Sequence, residues 1–83
     1  MPFTLIYTSR ALKDLEKLSR AVNRRIITAL ERLAREDDPV RSVKRLQDSP
    51  LYSFRVGPDR VILDIRREKI TLFVLRAGPG RKV

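Results

Sequence analysis

The sequence predicts an α+β fold of two layers, with element order β-α-α-β-β-β and an antiparallel sheet packed on a helical hairpin. Three observations carry this expectation. Tyr52, Phe54 and Val56 alternate with Ser53 and Arg55, and Val61, Leu63 and Ile65 alternate again after Gly57-Pro58-Asp59, so two strands meet at a tight turn. Val22, Ile26, Ala29, Leu30 and Leu33 recur at helical spacing and give one apolar stripe. A chain of 83 residues has a thin core, and stacking the apolar side of a sheet on that of a helical layer is how it can close one. The whole chain, 1–83, is expected to form one domain.

In chain order, Phe3, Leu5 and Tyr7 share one face of a first strand, with Pro2 ahead of it where a missing N–H does no harm. Thr8 or Ser9 can cap a first helix whose apolar positions are Ala11, Leu12, Leu15 and Leu18. That helix is expected to stop near Leu18, with Ser19 capping the second, which runs from about Arg20 to Arg35. Within it, Glu31 with Arg35 and Arg32 with Glu36 are spaced as ion pairs. Asp37-Asp38-Pro39 ends it, because a residue before proline avoids the helical region. Val40 to Pro50 reads as a connector in which Leu46 plugs back onto the core. The charged turn Arg66-Arg67-Glu68-Lys69 then leads to a third strand of the meander, Ile70 to Leu75.

Composition narrows the function. With no Cys and no His, thiolate and imidazole metal ligands are excluded, as is the commonest general base. No acidic cluster has metal-ligand spacing, so no metal and no cofactor is expected. No apolar run approaches the ~20 residues of a membrane span, and the N-terminus does not read as a signal sequence, so a cytoplasmic protein is expected. The charge of +9 is uneven: residues 1–40 hold eight Lys/Arg against six Asp/Glu, and residues 41–83 hold eleven against four. The second half is the electropositive pole, and nucleic acid is the usual polyanion for such a pole. Arg55 and Arg60 flank the turn on paired strands, and Arg76 and Arg81 follow the third strand. Guanidinium groups held on neighbouring strands suit a phosphodiester.

The residues also resemble a family, the RelE/ParE superfamily of toxins from bacterial and archaeal toxin–antitoxin pairs. The resemblance rests on Ala11-Leu12-Lys13-Asp14-Leu15-Glu16-Lys17-Leu18, on Lys44-Arg45-Leu46, on Leu51 through Ile62, and on Ile70 through Gly78. It implies a small sheet backed by two helices. For a RelE-like member it further implies a ribosome-dependent endonuclease that cleaves mRNA in the A site, using the RNA's 2′-hydroxyl without metal and silenced by a cognate RelB-like antitoxin. For a ParE-like member it implies inhibition of DNA gyrase instead, and a disabled toxin that still binds RNA or the ribosome is a third reading. Carried over by position, Arg55 and Arg60 would grip the scissile phosphate, and Lys44 and Arg45 would contact the RNA backbone. Ser53 stands where some members carry a lysine. The family's closing arginine and tyrosine are missing: Gly80 occupies the arginine's place, so Arg81 or Arg76 would serve in its stead. The antitoxin is expected to lie along both helices and a sheet edge.

Overall fold

A computed structural model of the chain describes residues 2–81. β1 (Thr4–Tyr7) leads into α1 (Ser9–Glu16) and α2 (Arg20–Ala34), followed by a 3₁₀ turn at Pro39–Ser42. Then come β2 (Lys44–Arg45), β3 (Tyr52–Val56), β4 (Asp59–Arg66), a second 3₁₀ turn (Arg67–Lys69) and β5 (Thr71–Pro79). The five strands form one sheet in the order β1-β5-β4-β3-β2, and the two helices pack on one of its faces. The expected α+β two-layer architecture is what the chain adopts.

Local chemistry sets the helix boundaries. Thr8 and Ser19 are the N-caps, each hydroxyl accepting a backbone N–H three residues on, from Ala11 and Val22. α1 stops at Glu16, two residues short of the expected end, and α2 ends ahead of Asp37-Asp38-Pro39. The Asn23 side-chain amide donates to the Leu15 carbonyl at 2.9 Å and ties the end of α1 to α2. Neither Glu31–Arg35 nor Arg32–Glu36 closes into an ion pair among the described residues, as is common for long exposed side chains.

Four features lie beyond the sequence reading. β1 joins β5 in parallel, with Thr4 opposite Thr71 and Tyr7 opposite Val74, so the sheet is mixed. The segment read as a connector contains a strand, because Lys44 and Arg45 pair antiparallel with Ser53 and Tyr52. In that segment Val43, rather than Leu46, packs against the core. The third strand of the meander is also longer than the apolar run suggested, since Arg76 to Pro79 continue the ladder along β4.

A bulge explains how β5 serves the core along its whole length. Ile62 pairs with Arg76 but Leu63 with Val74, which leaves Leu75 as the extra residue. The bulge resets the alternation, so Leu72, Val74 and Ala77 all turn inward and are buried. They meet Leu63 and Val61 from β4, and Ala11, Leu15, Ile26, Leu30 and Leu33 from the helices.

Beyond Tyr7, β1 stops covering the edge of β5 and α1 takes over. The Thr8 N–H and hydroxyl both donate to the Val74 carbonyl, at 3.0 and 3.1 Å, and the hydroxyl also reaches the Leu75 carbonyl. Asp14 accepts from Arg76 Nε at 2.8 Å and from the Ala77 backbone N–H at 3.1 Å. Burial pushes the Asp14 carboxyl up, but these two hydrogen bonds, with the charges of Arg76 and Arg10, outweigh it and hold the carboxyl below its ordinary range.

Asp14→Asn is expected to cost about 1–3 kcal/mol near neutral pH, read as a lower urea midpoint. The folded carboxyl is held low, so its contribution is complete above the ordinary carboxylate range of about pH 4. It fades as pH falls through the lowered value, and the wild-type and variant stability curves should converge there.

Candidate nucleic-acid interface

The face of the sheet turned away from the helices carries the basic residues of the meander. Register puts Arg55 of β3 directly opposite Arg60 of β4, and Arg60 opposite Gly78 of β5. One step along, Lys44 of β2 lies opposite Ser53, which lies opposite Ile62. Side chains directly opposite in a ladder share a face, as do residues two apart along a strand. Lys44, Ser53, Arg55 and Arg60 therefore come from three strands to one patch. Two like charges directly opposed across a ladder destabilise it. A bound anion removes that cost, and two guanidinium forks fit a phosphate.

Arg81 joins the patch through the backbone. The Gly80 N–H donates to the Pro58 carbonyl at 3.0 Å, which folds the end of the chain onto the β3–β4 turn. A Cβ on Gly80 would sit 3.0 Å from that oxygen, so glycine allows the approach. Gly57 forms the turn with φ of +59°, in the left-handed region that glycine adopts freely. Together these contacts form a cleft of about 480 Å³ lined by Arg55, Pro58, Asp59, Pro79, Gly80 and Arg81. Beside it Asp59 is buried, and its Oδ2 has no hydrogen-bond donor among the described residues.

The remaining expected site residues, Arg45 and Arg76, do not line the cleft, although register sets Arg76 opposite Ile62 on the outer face. Arg45 shares the helix-side face with Tyr52, its guanidinium 5.9 Å from the ring centre, and its Nε donates to the Ser49 carbonyl at 3.2 Å. Arg76 is turned to α1 by its ion pair with Asp14. Of the two arginines expected to stand in for the missing tail residue, Arg81 lines the cleft with Arg55 and Arg76 is held outside it. In the sequence Gly80 stands in the place of an arginine, and with Pro79 it is expected to reshape the backbone there. The signal for its role, a contact with Pro58 across 22 positions of chain, is absent from any local pattern. Among the described residues no three acidic side chains gather so as to hold a metal ion.

The profile of a family described as ParE toxin of type II toxin-antitoxin system, parDE, matches residues 5–83. The chain is also similar to solved structures. In the crystal structure of the toxin–antitoxin complex RelBE2 from Mycobacterium tuberculosis, a chain 29% identical superposes with a TM-score of 0.85, over 95% of this chain and 92% of that one. A chain of the intact RelBE complex from E. coli is 26% identical, with a TM-score of 0.73 over 94% and 96% of the two chains. The archaeal RelE–RelB complex from Pyrococcus horikoshii OT3 has the same fold at 23% identity, with a TM-score of 0.79 over 100% of both chains. Among curated protein sequences none matches this chain.

Gly80→Ala should lengthen the bond to Pro58 and loosen the cleft. A loss of about 1 kcal/mol at that contact corresponds to roughly fivefold faster amide exchange at position 80, with exchange in β4 unchanged. Unaltered exchange at position 80 would show that the tail is held by other means.

Proposed function

This chain belongs to the ParE toxin family of type II toxin–antitoxin systems, within the RelE/ParE superfamily, and from that premise we propose that it is a ribosome-dependent endoribonuclease. Its substrate is mRNA in the A site of the cytoplasmic ribosome, and a RelB-like antitoxin neutralises it. The observation that carries this reading is the directly opposed pair Arg55 and Arg60, with Arg81 lining the adjoining cleft with Arg55. Such a cluster has its charge in place before an anion arrives.

Attack of a 2′-oxygen on the neighbouring phosphorus gathers negative charge on the two non-bridging oxygens. Arg55 and Arg60 meet that charge without rearranging, which is the largest contribution that preorganised cations make to such a step. Arg81, which lines the adjoining cleft, meets charge on the departing 5′-oxygen. Lys44 extends the patch toward β2 and carries the flanking phosphates, while Ser53 offers a neutral hydroxyl between them. Arg45, stacked on Tyr52, is left to contacts with RNA beyond the patch. Arg76 acts as an anchor for α1 and supports the cleft through Ala77 to Pro79. The antitoxin reading draws on the relatives, whose structures are toxin–antitoxin complexes.

A second reading keeps the fold and replaces the target with DNA gyrase. The match to the ParE toxin profile favours it.

Primer extension on mRNA in ribosomes with an open A site separates the two. Cleavage is expected from the wild-type chain, and Arg55→Ala and Arg60→Ala should each slow single-turnover cleavage by about 10²–10³-fold. Intact mRNA with inhibited gyrase supercoiling would replace the endoribonuclease reading with the second one.

A further inference from the structure

β5 is apolar on both of its faces. Leu72 and Val74 are buried in the core beneath the helices, so Phe73 between them points to the other face. An apolar run of this kind is the pattern of a strand covered on both sides, yet the helices cover only one side of this sheet. Of the five aromatic side chains, Phe3, Tyr7, Tyr52 and Phe54 pack against the core and Phe73 does not. Phe73 is half-buried on the outer face, directly opposite Ile6 of β1 and Asp64 of β4. Ile6 is 43% exposed, and Ile62, two residues before Asp64, shares the same face. The open face therefore carries an apolar strip with one aromatic ring in it, beside the basic patch.

We propose that Phe73 is a stacking platform for one base of a bound single-stranded RNA, with Ile6 and Asp64 on either side of that base. This site deepens the endoribonuclease reading and takes its class of ligand from it. The platform is continuous with the arginine pair, because Arg60 and Asp64 lie on the same face of β4, four residues apart. That spacing, with one step across to β5, separates ring and arginines by about 14 Å. One strand can lay its phosphates on Arg55 and Arg60 and a base beyond them on the ring. Stacking on an aromatic side chain suits any base, since each has a π-face.

Charge decides which part of the strand lies over the strip. Asp64 accepts from Arg66 Nε at 2.9 Å, and its side chain is 21% exposed. A carboxylate beside the ring repels a phosphate, whereas its oxygens, which only accept, suit the N–H groups of a base edge. An exocyclic amino group donates there and uracil has none, so bases that carry one are favoured over uracil. A second copy of this chain fits the strip less well, because it would bring the basic patches of two copies with a charge of +9 together.

The test uses the full chain without ribosomes. Fluorescein-labelled hexamers of cytidylate and of uridylate are titrated in and followed by anisotropy, with inorganic polyphosphate of similar charge as competitor. Saturable binding is expected, tighter for cytidylate. Phe73→Ala and Phe73→Leu should each weaken the cytidylate hexamer about fivefold or more and leave the slope of log K against log salt unchanged. Both should alter binding of polyphosphate less than twofold, and Phe73→Trp should retain hexamer binding. Asp64→Asn should abolish the preference for cytidylate. Arg60→Ala, by contrast, should weaken hexamer and polyphosphate alike and reduce the salt slope by about one. A loss under twofold in Phe73→Ala, an equal loss for polyphosphate, or no saturable binding of either hexamer would overturn the platform. Self-association that Phe73→Ala abolishes, with hexamer binding unchanged, would assign the strip to a second copy instead. If the platform results hold while ribosomal mRNA stays intact, the endoribonuclease reading alone fails. Cleaved mRNA with hexamer binding indifferent to residue 73 would remove the platform alone.

Discussion

The second edge of β5 is the constraint on which the rest of the molecule depends. β5 pairs with β4 along its length, so its other edge must be satisfied by something else or be left as an open template. β1 covers that edge only from Thr71 to Val74. From there the carbonyls of Val74 and Leu75 are taken by Thr8, and the Ala77 N–H by Asp14. Thr8 is at the same time the N-cap of α1. One residue thus begins a helix and fixes it against the sheet, which is economical in a chain with so thin a core.

This edge also controls where the end of the chain goes. With Ala77 held by Asp14, the strand continues to Pro79, and Gly80 meets Pro58 at the β3–β4 turn. The arginine cleft is the consequence: Arg55 comes from the hairpin and Arg81 from the tail, joined by one backbone hydrogen bond. The bulge at Leu75 serves the same end. It allows three inward-facing residues on β5 to fill the core while Gly78 still falls beside Arg60 on the outer face.

The two faces of the molecule divide its electrostatics. Acid–base pairing is spent on holding elements together, as in Asp14 with Arg76 and Asp38 with Arg67. Arg20, Arg24, Arg25 and Arg32 of α2 have no such pairs among the described residues. On the outer face, Arg55 and Arg60 are set against each other. Positive charge is therefore left on the helical layer and on the outer face of the sheet, where anions are attracted.

The sequence by itself determined the layers, the helix starts and the central hairpin. Those features are local: Thr8 and Ser19 cap within three residues, the Val22-to-Leu33 stripe needs only helical period, and Gly57-Pro58 turns the chain where alternation resumes. It also placed Arg55 and Arg60 on one face, because their register follows from the turn between them. Only the tertiary structure decided the rest, since each remaining feature joins residues far apart in the chain. The parallel docking of β1 on β5 unites Thr4 with Thr71, a pairing that no periodicity encodes. Lys44 and Arg45 are too few to show alternation and become a strand only because β3 offers an edge. Arg76 reads in sequence as one more cation of the basic pole, yet Asp14, 62 positions earlier, is its partner. Gly80 reads as a missing arginine, yet its bare Cα is what lets Arg81 reach the cleft.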